Sequence, residues 1–329
     1  MKHRQNHQES ITFRGHTGAV RSVAWSPDGE MIVSAGDDCV LRIWSLIDQK
    51  EIGTWKGHSS PVRSVRWSPH GNLIASLDDS GEVRLWNVLD ATSAVVAIKF
   101  SLPALCLAWS PDGTRLAIGG EEKTLVVWDV DRKTETATLG PLANAIHSVS
   151  WSPNGRRVAS ASHDQTVKIW EVIPDQDEVH LPGPANESCA LRFSADGERL
   201  AGAREDHTVC VWDIDARERP IVLTGHTDRV TCVAWSRDGR LASCGDDMTV
   251  RIWDVDAGHE VLRLNGHTGQ IWAVAWSPTP THLATASSDE TLKIWDVATA
   301  KVAHTFSYES WDHRVAWNPG GDRVAAHNG

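Results

Sequence analysis

The chain has 329 residues, 41% hydrophobic and 23% charged, a globular composition with room for one large domain or two ordinary ones. Its net charge of −11, with no run of Lys or Arg longer than two, excludes a general phosphate-binding surface, because counterion release from phosphates needs a basic stripe. Six cysteines without a CxxC pair give no zinc or redox motif, and the most apolar stretch, 94–109, is broken by Lys99 and Pro103 and too short to cross a bilayer.

In chain order, residues 1–9 are polar, have no apolar core of a signal peptide and are expected to form a disordered tail. Residues 10–14 read as a short strand. The first unit follows, with apolar runs at 20–25, 31–35, 40–44 and 51–55. Ser26-Pro27-Asp28-Gly29 and Gly36-Asp37-Asp38 supply turns between them. The pattern then repeats. Trp44, Trp86, Trp128, Trp170, Trp212, Trp253 and Trp295 follow one another at 42, 42, 42, 42, 41 and 42 residues. Trp25, Trp67, Trp109, Trp151, Phe193, Trp235 and Trp276 run in step with them, and Trp317 adds an eighth member. That period accounts for 14 of the 17 Trp, in a chain with only 4 Phe and 1 Tyr.

Four short strands in a unit of roughly 40–45 residues predict a propeller blade. No stretch holds a 3.6-residue period, so helices should be nearly lacking. One blade cannot cover its own two faces; stacking around an axis covers both. A buried indole removes roughly 150–250 Å² from water, which makes Trp a suitable filler between such sheets. The expected fold is all-β, a propeller of seven four-stranded blades over 10–300, with 301–329 a partial eighth repeat. In that tail, 301–306 reads as a fourth strand, 314–317 as a first and 323–326 as a second. Two closures fit: 10–14 beside strand 291–295 in a seven-blade ring, which its form favours, or eight blades with an incomplete last one.

Gly15-His16, Gly57-His58, Gly225-His226 and Gly266-His267, with Trp128-Asp129, Trp212-Asp213, Trp253-Asp254 and Trp295-Asp296, resemble the WD-repeat family over about residues 10–327. The resemblance implies a rigid toroid used as a platform for protein–protein contacts. It also implies a buried polar tetrad in each complete blade, satisfying groups that would otherwise lack partners. By position these are Asp38, His16, Ser34 and Trp44; Asp247, His226, Ser243 and Trp253; and Asp289, His267, Thr285 and Trp295. Unit two keeps His58 and Ser76 but has Ser80 at the Asp place. Unit three has Glu122 and Ile118 at the Asp and Ser places and no Gly-His; unit four keeps Asp164 and Ser160 behind Gly140-Pro141. Unit five keeps Asp206 but has Gly183-Pro184, Gly202 and Phe193, so the loops of units three to five are expected to be less tightly fixed.

The residue before each tetrad Asp is expected to face one end of the ring: Asp37, Asp79, Glu121, His163, Glu205, Asp246 and Ser288. Arg229 and Gln270 stand six residues before a first-series aromatic, and Trp272 occupies the place of Arg21, Arg63, Leu105 and His147. Acidic residues beside an indole suit a basic, Arg- or Lys-containing segment of another protein. No nucleophile elbow, phosphate loop or zinc-hydrolase motif is present. His163-Asp164 and Glu205-Asp206-His207 sit in turns that sister units fill with Asp or Glu. The sequence therefore predicts a non-catalytic interaction platform without metal or cofactor, binding protein or peptide and neither nucleic acid nor membrane, in the reducing cytoplasm. The alternatives are a sensor or autoinhibitory module of a larger signalling protein, and an enzyme with its site at the channel mouth.

Overall fold

A computed structural model describes residues 11–88, 94–172, 179–180, 188–216, 219–307 and 315–326, and the tail expected at 1–9 lies outside them. Blade one is an antiparallel meander of Val20–Trp25, Met31–Gly36, Val40–Ser45 and Lys50–Lys56. Six more four-stranded meanders follow at 62–99, 104–139, 146–180, 188–223, 230–265 and 271–307. No helix occurs among the described residues. Second and third strands lie mid-sheet with neighbouring blades on both faces, so Val33, Ala35, Leu41 and Ile43 are almost wholly buried. Fourth strands run along the rim. In Lys50–Lys56 only Trp55 is fully buried, and its neighbours alternate toward water.

First-series tryptophans stitch the blades together. Trp109 Nε1–H donates to the Arg66 carbonyl (3.1 Å), Trp151 to Ala108 (3.1 Å), Trp235 to Arg192 (3.0 Å) and Trp276 to Ala234 (3.1 Å). Each bond joins a first strand to the first strand before it. Trp67 turns instead to the Gly71 carbonyl of its own turn, and Phe193 has no N–H to offer.

The same stitch shows how the ring closes. Val315–Trp317 and Val324–Ala326 form a two-stranded sheet. Trp317 donates to Ala275 of blade seven (3.1 Å), and Trp25 of blade one donates to Ala316 (3.0 Å). Gly29, at φ 74° in the turn after Asp28, lies against Pro319, where a Cβ would come within 3.2 Å of the proline ring. Gly321, at φ 74°, lies likewise against Pro278 of blade seven. The partial repeat thus stands between blades seven and one. The place beside Thr291–Asp296 is filled by Lys301–Ser307, so residues 11–14 do not close blade seven and belong to no strand. The physical reason is local: the hairpin partner a few residues along the chain takes the edge before a distant segment can.

Candidate functional site at the mouth of the ring

The first strand of every four-stranded blade carries a bulge at one position. Its register skips from Val20 to Ser22, from Val62 to Ser64, from Ile146 to Ser148, from Val230 to Cys232 and from Ile271 to Ala273. The residues passed over by the ladder are therefore Arg21, Arg63, His147, Thr231 and Trp272, and in blades three and five Leu105 and Cys189. A bulge re-aims its side chain out of the ladder. Opposite it, the residue before the tetrad Asp is tied down through its backbone. Asp37 N–H donates to the Ala19 carbonyl, Asp79 to Pro61, Glu121 to Pro103, His163 to Ala145, Asp246 to Arg229 and Ser288 to Gln270. One recurring bond holds these residues at the same level in successive blades.

The structure pairs the acids of this level with cations. Arg21 spans two blades, meeting Asp37 and Asp79, and Arg63 Nε also meets Asp79 at 3.0 Å. Arg229 contacts Asp246 at 3.0 Å and Glu205 at 3.7 Å, and its guanidinium lies 5.9 Å from the Trp272 ring centre. His147 and His163 stand edge to face, ring centres 3.7 Å apart. Glu121 is exposed, and so is Gln270. Five carboxylates, Asp37, Asp79, Glu121, Glu205 and Asp246, thus share this level with the guanidinium groups of Arg21, Arg63 and Arg229. The sequence pattern revealed the acids. It missed that Arg21 and Arg63 answer them, although both stand at a fixed four residues before the first-series Trp.

Beneath the mouth lie the hydrogen-bonded chains. Trp44 Nε1–H donates to Ser34 Oγ (2.7 Å), the hydroxyl to His16 Nε2 (2.7 Å), and the His16 Nδ1–H to Asp38 (2.8 Å). A carboxylate only accepts, which fixes that tautomer. Trp253, Ser243, His226 and Asp247 repeat the chain at 2.8, 2.7 and 2.8 Å. Trp295, Thr285, His267 and Asp289 repeat it at 2.8, 2.7 and 2.7 Å. Burial would raise the Asp289 carboxyl, but hydrogen bonds from Thr291, the Thr268 amide and His267 outweigh it and hold it down to about 2. Burial lowers His58 and His267 despite their carboxylate partners.

Blade two corrects the expectation that Ser80 leaves its tetrad without an acid. Asp78, two positions earlier, accepts from His58 Nδ1–H at 2.8 Å, while Ser76 joins His58 (2.6 Å) and Trp86 (2.7 Å). Ser80 donates its hydroxyl to the other oxygen of Asp78 (2.7 Å), which also accepts from the Glu82 amide (3.0 Å). The signal was the run Asp78-Asp79-Ser80, one acid longer at its front than the place aligned on Trp86. His58, Asp78 and Glu82 also form a compact buried group of metal-ligand type. Both His58 nitrogens are engaged within the tetrad, and Glu82 is paired with Arg84.

Blades three and four dispense with histidine. Phe100 and Leu142 are buried at its place, and Ile118 replaces the hydroxyl residue. The carboxylates still tie their loops, Glu122 accepting from the Ser101 amide (2.6 Å) and Asp164 from the Ala143 amide (2.8 Å). Ser160 keeps its bond from Trp170 (2.8 Å), whereas Trp128 Nε1 has no hydrogen-bond partner above Ile118. In blade five Gly183-Pro184 lies outside the described residues, and Arg204 is buried against Asp206 and Cys210.

The model of the WD domain, G-beta repeat, matches residues 7–45, 49–87, 98–129, 133–171, 179–213, 218–254 and 258–296. The chain belongs to the WD-repeat family. Among known proteins, this WD-repeat chain is 45% identical over 38 residues to ribosome biogenesis protein bop1 of Danio rerio, covering 12% of this chain and 5% of that protein. It is 36% identical over 107 residues to eukaryotic translation initiation factor 3 subunit I of Pyricularia oryzae, covering 32% of this chain and 31% of the relative. Ribosome biogenesis protein erb1 of Neurospora crassa is 48% identical over 40 residues, 12% of this chain and 5% of that protein. The WD-repeat chain therefore spans only a small share of the length of these relatives.

Proposed function

We propose that this WD-repeat ring is a non-catalytic docking platform that takes a basic segment of another protein at its mouth. The observation that carries this reading is the level on which four carboxylates, Asp37, Asp79, Glu205 and Asp246, meet three arginines while a fifth, Glu121, stands exposed. Asp37, Glu121 and Glu205 are the exposed acids of that level, Asp37 being held by Arg21, and the Trp272 indole sits beside Arg229. An incoming guanidinium or ammonium group would take the exposed acids, with Trp272 as the apolar anchor. Aromatic residues and charge complementarity serve interfaces in this way. Existing pairs with Arg21 and Arg229 hold Asp37 and Glu205 in place beforehand, which lowers the ordering cost of binding.

The relatives named for ribosome biogenesis and translation initiation suggest a partner within a multiprotein assembly. The same reading places the protein in the cytoplasm, which imaging of a fluorescent fusion checks. Affinity purification from the source cell, comparing wild type with a Glu121→Lys/Glu205→Lys variant, tests the platform itself. Capture of the leading partner should fall at least tenfold and should weaken as salt is raised. Undiminished capture by the reversed mouth would remove the basic-segment reading.

A further inference from the structure

In blades one and two the bulge residue of the first strand meets the residue before the aligned tetrad place as cation and acid, Arg21 with Asp37 and Arg63 with Asp79. Blade four fills the same two places with imidazoles. His147 is passed over by the ladder between Ile146 and Ser148, and His163 follows the end of the facing strand, Arg157–Ser162. The rings lie edge to face with centres 3.7 Å apart. Sixteen positions separate the two in the chain, so only the folded sheet brings them together.

The backbone beneath the pair is firmly tied. His163 N–H donates to the Ala145 carbonyl (2.9 Å), two residues before His147, and the Ser162 hydroxyl donates to the Asn144 carbonyl (2.9 Å). Between them Ile146 faces Ser162 in the ladder and is fully buried. Both imidazoles are exposed, so their rings can turn over a fixed base. A neutral imidazole carries one lone-pair nitrogen in either tautomer, and imidazole is the commonest side-chain ligand of metals.

We propose that His147 and His163 chelate a divalent transition-metal cation of the Zn²⁺ class at the mouth of blade four. A tetrahedral ion about 2.0–2.1 Å from each nitrogen sets the two nitrogens about 3.3 Å apart. Rings whose centres lie 3.7 Å apart need only open slightly to turn one nitrogen each onto a common point. Imidazole nitrogen suits Zn²⁺ and its neighbours, whereas Ca²⁺ and Mg²⁺ take oxygen ligands. Glu121 and Glu205, exposed on the flanking blades at the same level, add a negative field that draws cations toward the pair. Among the described residues, the one trio of ligand-type side chains close enough to share an ion is the buried His58, Asp78 and Glu82. The mouth site therefore holds its ion by two corners and leaves the others to water. It needs no partner protein to form, and it stands apart from the docking of a basic segment.

The test is isothermal titration of the full, untagged chain with ZnCl₂ alone, which should show one site saturating at submillimolar Zn²⁺. His147→Asn and His163→Asn should each weaken it about tenfold or more, the scale on which loss of even a ligand's supporting partner acts. Both residues are exposed, so the metal-free variants should melt with the wild type. In ¹H–¹³C spectra the Cε1–H signals of these two histidines should shift together and ahead of the remaining ones. His58→Leu, which dismantles the buried trio, should bind as the wild type does. Uptake that survives both Asn substitutions together, uptake lost with His58 instead, or no saturable uptake would overturn the proposal. So would equal binding of Mg²⁺, which would mean a diffuse acidic atmosphere in place of a nitrogen site.

Discussion

A buried histidine needs a partner on each nitrogen, and blade two shows how strictly that demand is met. Aligned by its Trp, the blade has a serine where the acid belongs, yet Asp78 reaches His58 from the end of the second strand. We expect Asp78→Ala to cost about 1–3 kcal/mol, because it leaves His58 Nδ1–H without its acceptor. Ser80→Ala removes only one of several bonds to Asp78 and should cost less than about 1 kcal/mol. Urea unfolding midpoints of the two variants would decide; equal losses would mean that the tetrad runs through Ser80 after all. At this scale the sequence was legible where the repeat is regular. Asp38, Asp247 and Asp289 stand at the aligned place and make the bond. It misled where an acid moved by two residues, because alignment fixes backbone position and not the reach of a side chain.

At the level of the strand, the N–H of the first-series indole ties one blade to the one before. Blade five lacks the tie because Phe193 stands there, half-buried against the core it shares with Leu191 and Leu200. In sister blades the acceptor is the carbonyl of the residue just before the preceding blade's aromatic, such as Arg66 for Trp109. For blade five that residue is Ser150. Phe193→Trp should therefore restore the bond and raise stability by about 0.5–1.5 kcal/mol, the net worth of an ordinary hydrogen bond. A thermal melt reads this directly, and a lowered melting temperature would show that the site is too tight for the larger ring. Period and turn chemistry made the strands legible, since alternation and Pro-Asp-Gly turns are local signals. The bulge that turns Arg21, Arg63 and Trp272 out of the ladder was not, because a bulge shows only against a partner strand.

For the whole molecule, the sequence showed seven units and the start of an eighth but not their closure. Closure depends on contacts between chain ends, here Trp25 with Ala316 and Phe13 with Trp44, and no periodicity reports such contacts. A ring shares its loads, so the protonation of its buried groups bears on every blade. His58 and His267 have folded pKa values lowered beneath 6.5, chiefly by burial. The unfolded chain therefore binds their protons first as pH falls, and stability declines from about pH 6.5 downward, at most about 1.4 kcal/mol per pH unit for each histidine. Asp289 works in a lower window. Its folded value of about 2 against 3.8 contributes stability that is complete above its unfolded value and is lost as pH falls toward 2. Between pH 7 and 5 the histidines alone should set the slope. His58→Leu imitates blade four, where Leu142 takes the histidine's place above an intact Ser160–Trp170 bond. Its melting temperature should fall less steeply over that range than that of the wild type. A slope unchanged by the substitution would mean that His58 titrates as a solvent-exposed imidazole, and that its tetrad opens to water at neutral pH.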